Sequence, residues 1–328
     1  MKIIVDAFGG DNAPLEILKG SAMAVEEYGI EIILTGDKDT IKRVAGENNI
    51  SLNKMSIVNA DQIIATDEDA SVVVKSKKNS SMAVGFDLLT KGEGDAFVSA
   101  GNSGAMVMGA AMLVKRIKGV KRPAFAPLIP KTSGCLMLAD GGANNECRAE
   151  MLQQFGVMGS IYMEKVMDIK NPRVGLANVG TEEHKGGALQ HEAYELLKNS
   201  PINFVGNIEG RDIPLDGCDV LVADGFTGNL ILKTYEGVAI ALMSKIKAVF
   251  KKNIKTKLAA ALVMTDLKEM AKEVDYNEYG GAPIMGVNKP VFKAHGSAKA
   301  VTFKSAIRLT KQFVEGNVVD AIASNINQ

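Results

Sequence analysis

A strand–turn–helix cycle that starts at the first residues and recurs through most of the chain is the feature that most limits what it can fold into. Lys2 to Val5 is a β-branched apolar run that ends in Gly9-Gly10-Asp11-Asn12. A helical pattern then starts near Pro14 and stops at Gly29. Proline at a first helical position and glycine just past the last turn are favoured punctuation. Glu31 to Leu34 repeats the strand and runs through Thr35-Gly36-Asp37 into a second helix. Further strands are expected near Ile57, Phe97, Leu136, Val174, Phe204 and Leu221. Such alternation predicts an α/β fold with a doubly wound, largely parallel sheet and helices on both faces. No low-complexity linker divides the 328 residues. The loop around Lys121 to Ser133 carries three prolines and is either a crossover between lobes or an ordinary surface connection.

The turns carry the chemistry. Asp95-Ala-Phe-Val-Ser-Ala-Gly101-Asn-Ser103-Gly104 aligns with Asp219-Val-Leu-Val-Ala-Asp-Gly225-Phe-Thr227-Gly228. Both read as a strand, small residues and then a helix start, at the strand ends where open α/β sheets bind ligands. Helix amino termini present unpaired N–H groups and partial positive charge, and glycine lets backbone approach an oxyanion. Ser103 and Thr227 either donate hydroxyls to a ligand or cap their helices. Asp6 to Asp11, Asp140 to Asn145 and Gly280 to Gly286 are three more candidate loops, and five together favour a phosphate-type ligand. Lys185 follows the expected strand at Val174 and precedes a helix from Ala188. It either faces the same crevice or is a solvated loop lysine. Asn229 adds an amide just after Thr227-Gly228.

Several chemistries lack their signatures. There is no G-x-G-x-x-G and no glycine followed by lysine, so the usual dinucleotide and NTP loops are not expected. The three histidines, His184, His191 and His295, form no H-E-x-x-H pattern, and no metal is expected. No G-x-S-x-G elbow appears, and Cys135, Cys147 and Cys218 read as structural. An anion-binding enzyme needs no protein nucleophile if the anion itself attacks. Thirty-eight basic residues balance 38 acidic ones, which speaks against nucleic-acid binding. The start of the chain turns acidic too soon for a signal peptide, and no apolar run reaches the ~20 residues of a membrane span.

That balance conceals a segregated segment. From Gly237 to Thr265 there are six lysines and no acid. Lys251, Lys252 and their neighbours alternate with apolar residues including Leu258 and Leu262, and a break near Lys252-Asn253 suggests two helices. Residues 237–274 are therefore expected to form an amphipathic helical hairpin. Its lysine face suits an anionic lipid surface or an acidic partner, unless the pair is a core element with a solvated face.

Asp6 through Pro14, Lys77-Lys-Asn-Ser-Ser-Met82, Ser99-Ala-Gly-Asn-Ser-Gly104, Ala223-Asp-Gly-Phe-Thr-Gly-Asn229, and Gly280-Gly-Ala-Pro through His295-Gly-Ser297 resemble the bacterial fatty acyl-ACP:phosphate acyltransferases of phospholipid synthesis. The likeness runs from the first strand to the last helix in the same order. It implies a single domain over 1–328, with two lobes around a cleft. The implied fold resembles isopropylmalate dehydrogenase and phosphotransacetylase, in a homodimer that needs no cofactor. It also implies transfer of a fatty acyl group from acyl carrier protein to inorganic phosphate, the acyl phosphate feeding glycerol 3-phosphate acylation. The location implied is cytoplasmic, peripheral to the inner face of the membrane. On this reading Lys185 and Asn229 are catalytic. Gly9, Gly10, Asn102, Ser103, Gly104, Asp224, Thr227, Gly228 and His295 hold phosphate or substrate, and Lys251, Lys252, Leu258 and Leu262 contact membrane or carrier. A phosphotransacetylase-like enzyme using acyl-CoA is the alternative, ahead of a dehydrogenase of the isopropylmalate type or a membrane scaffold without activity.

Overall fold

The computed structural model describes residues 1–273 and 279–326. In chain order its first strands are β1 (Lys2–Asp6), β2 (Glu31–Gly36), β3 (Met55–Asn59), β4 (Ala96–Ser99), β5 (Ala124–Phe125) and β6 (Leu128–Pro130). The others are β7 (Cys135–Ala139), β8 (Arg173–Asn178), β9 (Asn203–Glu209), β10 (Val220–Val222), β11 (Gly281–Met285) and β12 (Val291–Ala294). The α-helices begin with α1 (Leu15–Tyr28), α2 (Lys38–Glu47), α3 (Val72–Lys75), α4 (Ser81–Lys91), α5 (Ser103–Gly109) and α6 (Ala149–Lys165). They continue with α7 (Ala188–Lys198), α8 (Gly225–Lys251), α9 (Ile254–Leu262), α10 (Met264–Glu273), α11 (Ala300–Glu315) and α12 (Val318–Asn325).

The largely parallel α/β arrangement is present, divided between two sheets. One runs β3-β2-β1-β4-β12-β11-β5 and the other β6-β7-β10-β8-β9. β1, β2, β3, β4 and β12 pair in parallel, as do β7, β10, β8 and β9. β11, β5 and β6 join antiparallel. Alternation along β1 shows why helices must cover both faces. Ile3 and Val5 join a core with Leu18 of α1 and Phe303 of α11, while Ile4 joins the opposite core with Phe86 and Leu89 of α4. The first core continues through Phe155 and Tyr162 of α6 to Val220 and Val222, so both sheets share it. Gly29 ends α1 at φ 67°, the left-handed cap that glycine adopts without penalty.

One open alternative is resolved and one expectation changes. The proline-rich stretch from Lys121 to Ser133 is a crossover: it contributes β5 to one sheet and, two residues later, β6 to the other. The stretch Gly280 to Gly286, expected as a loop, is mostly strand β11, with Gly280, Gly281 and Ala282 on the lining of a cavity between the two sheets, and its partner β12 was not expected at all. Both are short and carry strand-averse residues, Pro283 in one and Lys293 in the other.

The helical break falls where the sequence places it. α8 ends at Lys251, and Asn253 caps α9 by accepting from the Thr256 amide. Residue 274, the last of the expected hairpin, lies outside the described residues. Ala239, Met243, Ile246 and Phe250 line the half-buried side of α8, while Val238, Leu242 and Val249 on an adjoining stripe are exposed. Leu258 and Leu262 of α9 are 64% and 87% exposed. The hairpin is thus not a core pair: within this chain its apolar surface faces outward. Among the described residues no helix is long and apolar enough to cross a membrane.

Candidate active site

A cavity of about 690 Å³ opens between the two sheets, within the range of small-molecule sites. Its polar end is built from four strand ends. β4 leads to Ser103 and Gly104 at the start of α5, and β7 to Gly141–Asn144. β10 leads to Asn229 and Lys233 in the first turns of α8, and β12 ends at Lys293 and His295. An apolar wall continues from it through Val107, Met108 and Met112 to Leu128 and Leu232.

Asp140 organises the β7 loop. Its buried carboxylate accepts from the amides of Phe125 (3.0 Å), Gly142 (3.1 Å), Ala143 (3.0 Å) and Asn144 (2.7 Å), and from the Asn144 side-chain amide (2.8 Å). Burial pushes its pKa up despite the opposing pull of those donors. The loop lies directly on α8. The Gly225 amide donates to the Asn144 carbonyl at 2.7 Å, and a β-carbon at Gly228 would sit 1.9 Å from the Asp140 carbonyl oxygen. Gly228 is therefore a close-approach glycine that fixes Asn229 against the loop.

Of the residues expected to bind substrate, Ser103, Gly104, Asn229 and His295 line the cavity. Ser103 and Asn229 are exposed there, and among the described residues their side-chain polar groups have no partner in the protein. The His295 ring meets Ser297 Oγ through Nδ1 at 2.8 Å, and burial together with Lys293 lowers its pKa.

The others are used differently. Asn102 and Asp224, not Ser103 and Thr227, are the helix caps. Asn102 accepts from the Ala105 amide and donates to the carbonyls of Ala65, Thr66 and Glu68, so its side chain is spent on a neighbouring loop. Asp224 accepts from the amide (2.9 Å) and hydroxyl (2.7 Å) of Thr227, which occupies both residues. Gly9 and Gly10 let the β1 loop lie against the loops after β4 and β12: added β-carbons would meet the Gly101 amide at 2.6 Å and the Gly296 carbonyl at 2.8 Å. Lys185 is half-buried on the loop after β8, outside the cavity lining. It leaves the sheet at the same end as the neighbouring β10 loop, because β8 and β10 are parallel.

Residues the loop motifs do not single out complete the site. Arg122, Lys233 and Lys293 also line it, with Glu236 the one carboxylate among the lining residues. Glu236 pairs with Lys233 at 2.8 Å. Lys293 carries no sequence signal of its own, because the four-residue strand that holds it is too short to be recognised. The polar end thus carries an excess of positive charge and unspent donors, which suits an oxyanion, and the apolar wall suits a hydrocarbon.

Solved structures share this architecture. A phosphotransacetylase from Streptococcus pyogenes superimposes with a TM-score of 0.64 at 18% identity, covering 96% of this chain and 94% of that one. A branched-chain phosphotransacylase from Enterococcus faecalis gives 0.56 at 13%, covering 96% and 99%. Among sequences, a phosphate acyltransferase from Thermoanaerobacterium thermosaccharolyticum is 46% identical over 326 residues, 99% of this chain and 97% of its own length. One from Clostridioides difficile is 42% identical over 329 residues, 100% and 97%. The family described as fatty acid synthesis protein matches residues 1–321. Fold and relatives together define an acyltransferase built on the phosphotransacetylase architecture. More particularly, the chain belongs to the fatty acid synthesis protein family, among its phosphate acyltransferases, which move an acyl group onto phosphate.

Proposed function

We propose that the acyl donor is a long-chain fatty acyl thioester of acyl carrier protein and that the acyl phosphate formed feeds glycerol 3-phosphate acylation. The supporting observation is the shape of one cavity, which joins unspent donors and cations to an apolar wall. Inorganic phosphate at the polar end attacks the thioester carbonyl carbon through one oxygen, forming the new O–C bond. Asn229 and the amino-terminal turn of α8 stabilise the tetrahedral oxyanion, and Lys185 adds positive charge from the β8 loop. Collapse breaks the C–S bond, and the carrier leaves as a thiolate. Its aqueous pKa of roughly 8.5 on the cysteine scale means little acid assistance is needed.

The exposed, lysine-flanked hairpin supports a peripheral position on an anionic, cytoplasmic membrane face, and the enzyme acts there as a homodimer. The same lysines suit an acidic carrier protein. Acyl-CoA, used by a phosphotransacetylase-like enzyme, is the competing donor. The test is phosphate-dependent release of free carrier from long-chain acyl carrier protein, with acyl phosphate trapped by hydroxylamine. Faster turnover of acyl-CoA than of the carrier thioester overturns the donor assignment. Asn229→Ala and Lys185→Ala are each expected to lower kcat about 100-fold. Near-normal turnover in both removes these residues from the mechanism.

A further inference from the structure

Among the described residues, the side chain of Lys131 and the whole of Lys293 are largely buried, and the two lysines are treated in opposite ways. Lys131, whose side chain is 3% exposed, sits between the carboxylates of Asp216 and Asp219, with Asp219 at 2.7 Å. Its charge is neutralised within the protein. Lys293 is 7% exposed, in the middle of the seven-stranded sheet, opposite Ser99 of β4 and Ala282 of β11. Its ammonium donates only to backbone carbonyls, those of Ala100 (3.2 Å) and Ala294. No ion pair among the described residues includes it. An ammonium has three N–H donors, so one stays unspent, and the group lines the cavity.

A buried cation without a counter-charge is costly, and a chain tolerates one where a ligand brings the anion. We propose that Lys293 is the buried cation that binds the phosphate acceptor, with the Ser103 hydroxyl, which lines the same cavity, as a neutral donor. This deepens the reading of phosphate as the acceptor and rests on it. The groups around Lys293 leave its charge uncompensated. Asp6 and Asp11, from β1 and its loop, attract it from beyond ion-pair distance. Burial raises the pKa of Asp6, which weakens it as a counter-ion. Lys233 of α8, itself held by Glu236, and His295 just after β12 both interact with the ammonium and add no negative charge.

Desolvation lowers the Lys293 pKa to about 8. A phosphate dianion in contact would raise it again, so binding favours the protonated lysine. Phosphate affinity is then full below that value and falls as pH rises through it.

The experiment measures the KM for inorganic phosphate, with saturating acyl carrier substrate, near pH 8 and near pH 9.5, where phosphate itself stays a dianion. In the wild type it is expected to rise about fifteenfold across that interval as the lysine loses its proton. Lys293→Met keeps the volume and removes the charge, which a buried site tolerates. It is expected to raise the phosphate KM at least tenfold near pH 8, flatten the pH dependence, and leave the KM for acyl carrier within twofold. Either of two results overturns the proposal: a wild-type phosphate KM that does not change over the interval, which needs no variant, or a folded Lys293→Met with unaltered phosphate KM. A wild type that releases carrier without needing phosphate overturns the parent reading as well. Phosphate-dependent turnover that Lys293→Met leaves intact overturns this inference alone.

Discussion

Gly228→Ala is a one-carbon change whose effect can be worked from the backbone alone. The added β-carbon would sit 1.9 Å from the Asp140 carbonyl oxygen, where ordinary contact begins at 3.4 Å. One backbone must therefore retreat by about 1.5 Å. The β7 loop is not free to do so, because the Asp140 carboxylate ties it to Phe125, Gly142, Ala143 and Asn144. The first turn of α8 gives way instead, taking with it Asn229, which packs so close to Gly142 that a β-carbon added there would meet the Asn229 β-carbon at 3.4 Å. A misplacement of about 1 Å at a reacting centre costs on the order of 100-fold in rate, and overpacking costs about 1–3 kcal/mol in stability. The assay is carrier release under saturating phosphate, alongside urea unfolding. Gly237→Ala is the internal control. It lies in the same helix with nothing within 4 Å of the added carbon, and is expected to stabilise by about 0.5–1 kcal/mol with unchanged turnover. A folded Gly228→Ala enzyme within threefold of wild-type kcat would refute the coupling of the loop to Asn229.

Two further outcomes follow from charges and exposed surfaces. Asp219 is held well below the usual carboxylate range, against its burial, by hydrogen bonds from Arg173 and Lys131. Its stabilisation is complete above an unfolded value of about 4 and is lost as pH falls below it. Asp219→Asn should cost about 3–5 kcal/mol in urea unfolding at neutral pH, because Lys131 stays buried with less counter-charge, and should flatten the acid slope of stability. An unaltered midpoint would contradict this. For the hairpin, Leu258→Glu or Leu262→Glu removes about 1.5–3 kcal/mol of burial from any lipid contact. Either is expected to weaken flotation with anionic vesicles roughly tenfold or more, with turnover of soluble acyl carrier substrate preserved. Flotation equal to wild type would exclude these side chains from the contact.

Most of the parallel strands were legible because they are short apolar runs next to glycine-bearing turns, and β1, β4, β7 and β10 are buried along nearly their whole length. β5, β6, β11 and β12 were not, since they are two to five residues long and two contain proline. Their pairing is set by partners distant in sequence, such as β4 for β12. In the site, small-residue turns pointed to Ser103, Asn229 and the Asp140 loop, and these segments line the cavity. The same signal over-read Gly9, Gly10 and Gly228, because glycine marks a close approach without saying whether a ligand or another backbone is approaching. Asn102 and Asp224 were expected to meet substrate, yet a cap position consumes such side chains locally. Lys293 escaped notice because a single lysine in a four-residue strand has no periodic signature. Only the tertiary structure reveals that no carboxylate stands beside it.

The unbroken run of α8 has a mechanical consequence. One helix carries Asn229 and Lys233 at the cavity and Lys251 at the tip of the protruding hairpin. Twenty-seven helical residues form a rod of about 40 Å. Such a rod transmits tilt rather than absorbing it: a rotation of a few degrees shifts one end by on the order of 1 Å, the scale on which catalysis is sensitive. Whatever grips the outer end of this helix therefore applies torque to the turn that carries Asn229. The two ends of α8 thus share a single lever, and a helix-breaking substitution near Gly237 would uncouple them without touching either end.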